Sequence, residues 1–469
     1  MDYACLKGLQ PADFFHWFGE ICKIPHGSYK EEKLVAFLVQ FAKERNLFCE
    51  VDRHNNVLMR VPASAGYEAQ PPFLFQAHTD MIWRKDPGVV FDFETQPINL
   101  VVQDGKITAK GTTLGADNAV GIATMLALAD GEYPHPELEL LFTAAEEVGM
   151  AGIRKFDMGK LKARRMVNMD CGDSHVLCVT SAGSISAKIE KTFQTEPVKA
   201  HAWKLVLSGG RGGHSGLCAH MGLACGANLL GRLLLDTGVC LCQAAGQDAI
   251  IKQVEAVITL PEGTEEAIKT RFAALKEQYR QVDPNWELTL TPEAEQFALT
   301  EEDSNSVFFA LGLLHTGATR MDENHKDTVL TSGQIKAFAL QDGKFHLNFG
   351  IRAASDTDGA QLFEGYQKQL QAKALNLQAF DRYSGWPEDP ESKLRQQFLD
   401  MHQKLFGCEM EIERVHGGIE VGVLKGAIPD MDAVGIAPTA RGAHTTGEYL
   451  LIDEVAPYWQ LLTAVLAMK

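Results

Sequence analysis

Short apolar runs and longer segments of helical periodicity take turns over the first third of the chain. PPFLFQA (71–77), LELLFTA (138–144) and RMVNMD (165–170) have the length and composition of buried strands, whereas AVGIATMLALA (119–129) reads as an apolar helix. That alternation predicts an α/β sheet with helices on its faces. VVQDGKITAKG (101–111) sets Asp-Gly between two short runs and predicts a hairpin, so the sheet is expected to be mixed. From about residue 183 the texture changes to longer polar-alternating strands such as SISAKIEK and amphipathic helices such as TEEAIKTRFAALKEQYRQ (264–281), which predicts a second, α+β domain. A proline-rich turn, SGWPEDPESK (384–393), precedes a helix at 394–406, strand-like EMEIERV (409–415) and MDAVGIA (431–437), and a helix at 454–468. These last elements are placed to return to the first sheet. The expected organisation is a discontinuous first domain, 1–186 and 388–469, split by an inserted domain at 187–387.

Length and composition agree with this picture and narrow the function. The 469 residues exceed what one core usually organises, and 45% hydrophobic with 22% charged residues is ordinary globular usage. No stretch approaches the ~20 apolar residues of a membrane helix, and the N-terminus lacks the pattern of a secretory leader. The ten cysteines form no regular framework and read as reduced thiols, so the expected location is cytoplasmic. A formal charge of −17 opposes binding to nucleic acid or anionic membranes, leaving a small molecule as the expected partner.

Polar residues cluster where the predicted strands and helices end, which in an open α/β sheet is where ligands bind. His78 and Asp80 follow the first buried run, and with one residue between them they point the same way in an extended chain. Asp117 lies between a glycine-rich turn and the apolar helix. Glu146 and Glu147 follow the 138–144 run, Asp170 follows 165–169, and His444 sits in TARGAHTTGEY. Each has an ordinary explanation alone: a surface pair, a helix N-cap, a solvated charge pair, a turn starter. Together they bring several acids and two imidazoles towards one rim. Two divalent cations ~3.5–4 Å apart require that donor set, and without them such a concentration of negative charge is costly.

At this point seven motifs, in order, resemble those of the M20 di-zinc metallopeptidases: FQAHTDM, GTTLGADNAVGIA, TAAEEVGMAG, NMDCGD, GGRGGHSG, HGGIEVGVLKG and RGAHTTGE. The likeness runs over essentially the whole chain and is nearest to the bacterial aminoacyl-histidine dipeptidase branch. It implies a zinc-peptidase-like mixed-sheet catalytic domain with an inserted α+β lid. It further implies that His78, Asp117 and Asp170 hold one Zn2+ and that Asp117, Glu147 and His444 hold the other, Mn2+ or Co2+ being acceptable substitutes. Asp117 would bridge, with a cis peptide to Asn118. Asp80 would orient His78, and Glu146 would be the general base. In the lid, His214 corresponds to the residue that reaches the substrate carbonyl and Arg352 to the one that grips a carboxylate, with Gly417 and Gly418 beside it. Two stretches depart from the usual family pattern, Gly418-Ile419-Glu420-Val421-Gly422 and Thr445-Thr446-Gly447-Glu448.

The activity so implied is hydrolysis of Xaa-His (carnosine-like) and other dipeptides by a metal-bridged hydroxide. Lowering the pKa of water from 15.7 to about 7 provides roughly 12 kcal/mol of activation, against about 3–5 kcal/mol for a positioned general base. The alternatives are a deacylase of N-acyl amino acids, a carboxypeptidase, or a non-catalytic binding protein on the same fold. A homodimer through the lid is a further implication, the lid histidine then serving its own or a neighbouring site.

Overall fold

The computed structural model describes residues 3–198, 201–216, 218–294 and 297–469. The chain divides into two compact units, one formed by Met1–Thr180, Glu388–Val415 and Ile419–Lys469, the other by Ser181–Pro387 and His416–Gly418. Each has its own apolar core. The domain change expected at 187 falls inside the strand Gly183–Thr192, which pairs wholly within the second unit, so the division comes at Ser181. Residues 416–418, expected in the first domain, belong to the second. There His416 Nε2 lies 2.7 Å from Ser332 Oγ, and the Ala182 N–H donates to the Gly417 carbonyl at 2.8 Å.

The first unit is built on an eight-stranded mixed sheet in the order Phe48–Val51, Val57–Val61, Leu138–Thr143, Phe73–His78, Arg165–Asn168, Asp432–Gly435, Val176–Ser181 and Glu411–Val415. The third to sixth of these run parallel. Their near-continuous apolar sequence follows from burial on both faces: every residue of Phe73–His78 and Leu138–Thr143 is buried. The late strands Glu411–Val415 and Asp432–Gly435 join this sheet, as their position in the sequence predicts. The helix Ala116–Asp130 covers one face and packs against Ala12–Cys22.

The Asp-Gly hairpin forms between Leu100–Gln103 and Lys106–Ala109, with positive φ at Asp104 (51°) and Gly105 (72°), the pair of values a tight two-residue turn needs. It continues into a small four-stranded sheet with Tyr449–Leu451 and Ala440–Arg441. That sheet fixes both ends of the loop carrying His444.

The second unit contains a nine-stranded antiparallel sheet, with Lys344–Ala353 between Val329–Gln341 and Gly183–Thr192. The helices Gly226–Leu234, Glu265–Gln278, Glu301–Leu313 and Asp356–Gln371 complete it, giving the α+β texture expected from its sequence. Its core side chains, among them Phe308, Ile335, Leu347 and Phe349, are separate from those of the first unit.

Candidate metal centre

Parallel pairing brings the candidate ligands together. Gln76 lies opposite Asn168 and His78 opposite Thr143, so the three neighbouring strands end at nearly the same level. His78 is the last residue of its strand, Asp170 comes two residues after Asn168, and Glu146 and Glu147 come three and four after Thr143. All therefore emerge at the carboxyl ends of parallel strands. Asp117 arrives from another direction. Gly115, at φ 74°, is the N-cap of the helix Ala116–Asp130, and Asp117 keeps non-helical angles (φ −81°, ψ 99°) before a cis peptide bond to Asn118. It is thus not the N-cap that its setting in the sequence suggests.

Asp117 divides its carboxylate between two imidazoles. Oδ1 is 2.8 Å from His78 Nε2 and Oδ2 is 3.2 Å from His444 Nε2. Asp170 Oδ1 completes one side at 3.4 Å from His78 Nε2, and Glu147 Oε1 the other at 2.7 Å from His444 Nε2. Donor atoms of His78, Asp117 and Asp170 lie within 4.8 Å of one another, as do those of Asp117, Glu147 and His444. A third such group joins His78 with Glu146 and Glu147, placing Glu146 at the same centre. His444 reaches in from a left-handed backbone conformation, φ 65°, which few residues other than glycine adopt without support.

Why a buried strand should run into two glutamates is answered by the backbone. After Thr143 the chain turns through Ala145 at φ 53°, and four successive N–H groups meet side-chain oxygens from elsewhere in the unit. Ala144 donates to Asn56 Oδ1 at 3.0 Å and Ala145 to Glu31 Oε1 at 3.0 Å. Glu146 donates to Asp80 Oδ1 at 2.9 Å and Glu147 to Asp80 Oδ2 at 3.2 Å. Asp80, fully buried and also accepting from Ser28 Oγ at 2.7 Å, holds the main chain of both glutamates. Its contact with His78 is chiefly through the main chain: His78 Nδ1 is 2.9 Å from the Asp80 carbonyl and 3.4 Å from the carboxylate.

The electrostatics suit cations. Burial works to discharge His78, but the carboxylates of Asp170 and Asp117 outweigh it and raise its pKa well above the ordinary value. His444 is raised to about 10 by its close approach to the carboxylates of Asp117 and Glu147. Burial lifts Asp170 to about 6 and, with the neighbouring Asp170 charge, lifts Glu146 well above the usual carboxyl range. Glu147 Oε1 is buried without a directed hydrogen bond despite its 2.7 Å approach to His444. Imidazole nitrogens and carboxylate oxygens converging on common points, with no thiol among them, fit divalent zinc, manganese or cobalt.

The remaining expected site residues lie in the second unit. Arg352 stands opposite Ser332 in the sheet, and its charge helps hold both His214 and His416 below the usual histidine range, after burial. A Cβ on Gly216 would come within 2.7 Å of the His416 carbonyl and 3.4 Å of the His214 ring, so the His214 loop packs directly on the 416–418 segment. Gly418 is required for a related reason: a side chain there would collide with the Tyr383 hydroxyl.

Residues 74–468 match peptidase family M20/M25/M40. The chain belongs to that family. The cytosol non-specific dipeptidase of Escherichia coli (strain K12) is 32% identical over 476 residues, spanning 98% of each chain. The crystal structure of the aminoacylhistidine dipeptidase from Vibrio alginolyticus superposes with a TM-score of 0.90 at 28% identity, covering 98% of this chain and 97% of that one. The aminopeptidase PepT from Bacillus cereus shares the fold, with a TM-score of 0.59 at 16% identity over 98% of both chains. M20 membership brings metal dependence with it.

Several residues that shape this M20 site have no role assigned from the sequence. Glu448 is buried, and its carboxylate accepts from the N–H groups of Leu114 and Gly115 (both 2.9 Å) and Asp117 (3.1 Å). Glu31 and Asn56 cap the 144–145 turn. Glu420, pushed up to about 8 by burial, lies beneath the strand ends. The sequence does hold a signal for the side chains linked to Glu420: Gln76, Thr143 and Asn168 interrupt runs that are otherwise apolar.

Proposed function

We propose that this chain is a metal-dependent dipeptidase acting on Xaa-His and other dipeptides. The observation that carries this reading is the division of Asp117 between His78 and His444, with Glu146 beside them, in a chain similar over its whole length to a non-specific dipeptidase. His78, Asp117 and Asp170 are assigned to one zinc ion, and Asp117, Glu147 and His444 to a second. Such ions lower the pKa of water towards 7 and polarise a carbonyl.

The chain's own residues carry the remaining steps. Glu146 takes the proton of the attacking water on its carboxylate and returns it to the leaving amine. Asp80 holds the main chain of Glu146 and Glu147 and fixes the His78 ring. In the second unit, read as the lid, His214 is assigned to the substrate carbonyl oxygen. Arg352, with Gly417 and Gly418 beside it, is assigned to the free carboxylate. Gripping that carboxylate measures substrate length and favours dipeptides. Similarity to a relative named for the cytosol supports a cytoplasmic location.

A side-by-side assay of carnosine, ordinary dipeptides, tripeptides and N-acetyl amino acids tests the reading. Chelation followed by zinc or manganese add-back belongs in the same experiment. Dipeptides should be cleaved fastest, and turnover should vanish and return with metal. Preference for N-acetyl amino acids would make the chain a deacylase, and hydrolysis surviving stringent metal removal would overturn the mechanism.

A further inference from the structure

Three polar side chains meet in the most apolar part of the first unit. Gln76, Thr143 and Asn168 lie on the three adjacent parallel strands, and all are fully buried. Glu420, also fully buried and the first residue of the helix Glu420–Ala427, lays its carboxyl across two of them. Its Oε2 accepts from the Gln76 amide and, at 2.6 Å, from the Thr143 hydroxyl. The line continues across the sheet. Asn168 Nδ2 donates to Gln76 Oε1 at 2.6 Å, and the Asp170 N–H donates to Asn168 Oδ1 at 3.0 Å.

Stability gives no reason for such a network at this place. Buried polar groups add little net stability even when satisfied, and apolar residues of similar volume generally do as well or better. Here the network is incomplete as well: Glu420 Oε1 is buried with no hydrogen-bond partner. What it does achieve is registration. Gln76 is two residues before His78, Thr143 three before Glu146, and Asn168 two before Asp170. One carboxyl therefore ties together the ends of the strands that deliver three ligands and the general base.

We propose that Glu420 is a positioning residue for the metal centre, fixing the relative placement of His78, of Glu146 with Glu147, and of Asp170 through Gln76, Thr143 and Asn168. This rests on the reading of those residues as a metal and catalytic site. The action is geometric, and displacements near 1 Å at such a centre are worth about 10²-fold in rate.

The test compares Glu420→Gln, Glu420→Leu and Thr143→Val in the full-length, metal-saturated protein. The readouts are Tm, bound metal, the visible absorption of the Co2+-loaded form, and kcat and KM on one dipeptide. Glu420→Gln still presents one oxygen to both donors and should keep kcat within about threefold. Glu420→Leu removes the acceptor that Gln76 and Thr143 share, leaving the amide the Thr143 hydroxyl at 3.1 Å and that hydroxyl the Ala77 carbonyl at 3.4 Å. It should retain metal and KM, shift the Co2+ spectrum and lose about 10- to 100-fold in kcat. Thr143→Val removes one hydroxyl and should lose about tenfold, deciding the matter if the leucine variant does not fold. Wild-type spectrum and kcat in Thr143→Val and in any folded Glu420→Leu, or a loss in Glu420→Gln as large as in Glu420→Leu, would overturn the proposal. Glu146→Ala and His78→Ala serve as controls. If these two leave turnover intact, the reading of the site has failed. If they abolish it while the Glu420 and Thr143 variants are silent, only the positioning role has.

Discussion

Glu146 and Glu147 are neighbours in sequence to which the proposed mechanism assigns different tasks, and the hydrogen bonds of their main chain bear on that division. Both N–H groups are held by Asp80, one on each carboxylate oxygen, so the two side chains leave a fixed backbone. Both fall in the group with His78, but only Glu147 also joins the group of Asp117 and His444, at 2.7 Å from the His444 ring. Glu147→Ala should therefore weaken metal binding. Glu146→Ala should leave the metal content unchanged and lower kcat by about 10²- to 10⁴-fold, the range for a lost general base. Metal analysis beside steady-state kinetics separates the two, and equal metal loss in both variants would refute the division. The identity of these residues is legible in the sequence because acids at strand ends in an α/β sheet are informative. How they are held is not legible: Glu31, Asn56 and Asp80 come from segments 66 to 114 residues away along the chain, and no local pattern announces the pairing.

At the scale of elements, strands are read well wherever an apolar run stops abruptly, as at His78 and Thr143. The 101–111 hairpin is read well because Asp-Gly supplies the two positive φ angles. Less legible is the segment before the helix Ala116–Asp130, whose form depends on a residue more than 300 positions later. Glu448 gathers three N–H groups there, those of Leu114, Gly115 and Asp117, and so sets the approach of the Asp117 carboxylate. Glu448→Ala should leave these donors without a partner, at a cost of about 1–3 kcal/mol for each that water cannot reach. The expected outcome is a lower urea midpoint and weaker metal binding, with Glu448→Gln intermediate because one oxygen remains to accept. Unfolding curves and metal titrations of both variants check this. The His416–Gly418 segment escaped the sequence for the same reason: its place is set by Ser332 and Ala182, distant along the chain.

Across the whole molecule the acidic balance hides a second electrostatic feature, a set of histidines held uncharged. Burial is the leading cause of the lowered pKa at His135 and His402, with the neighbouring His175 also opposing charge on His402. His416 is lowered to about 4 by burial and by the Arg352 charge, against a hydrogen bond to the Val329 carbonyl. In the unfolded chain these side chains take up protons near pH 6.5, whereas in the folded protein they resist until lower pH. The unfolded state thus binds more protons as acid is added, so the stability these groups contribute is present above pH 6.5 and is lost as pH falls through their folded values. For His416 alone the gap from 6.5 to about 4 corresponds to roughly 3 kcal/mol, spent mostly between those two pH values. Urea unfolding at fixed ionic strength should show the midpoint falling from pH 6.5 towards pH 4.5. A His416→Gln variant should flatten that limb, because glutamine keeps a hydrogen-bonding side chain and has nothing to protonate. Proton NMR of the His416 ring gives the decisive number: titration near 6.5 in the folded protein would remove this residue from the acid limb.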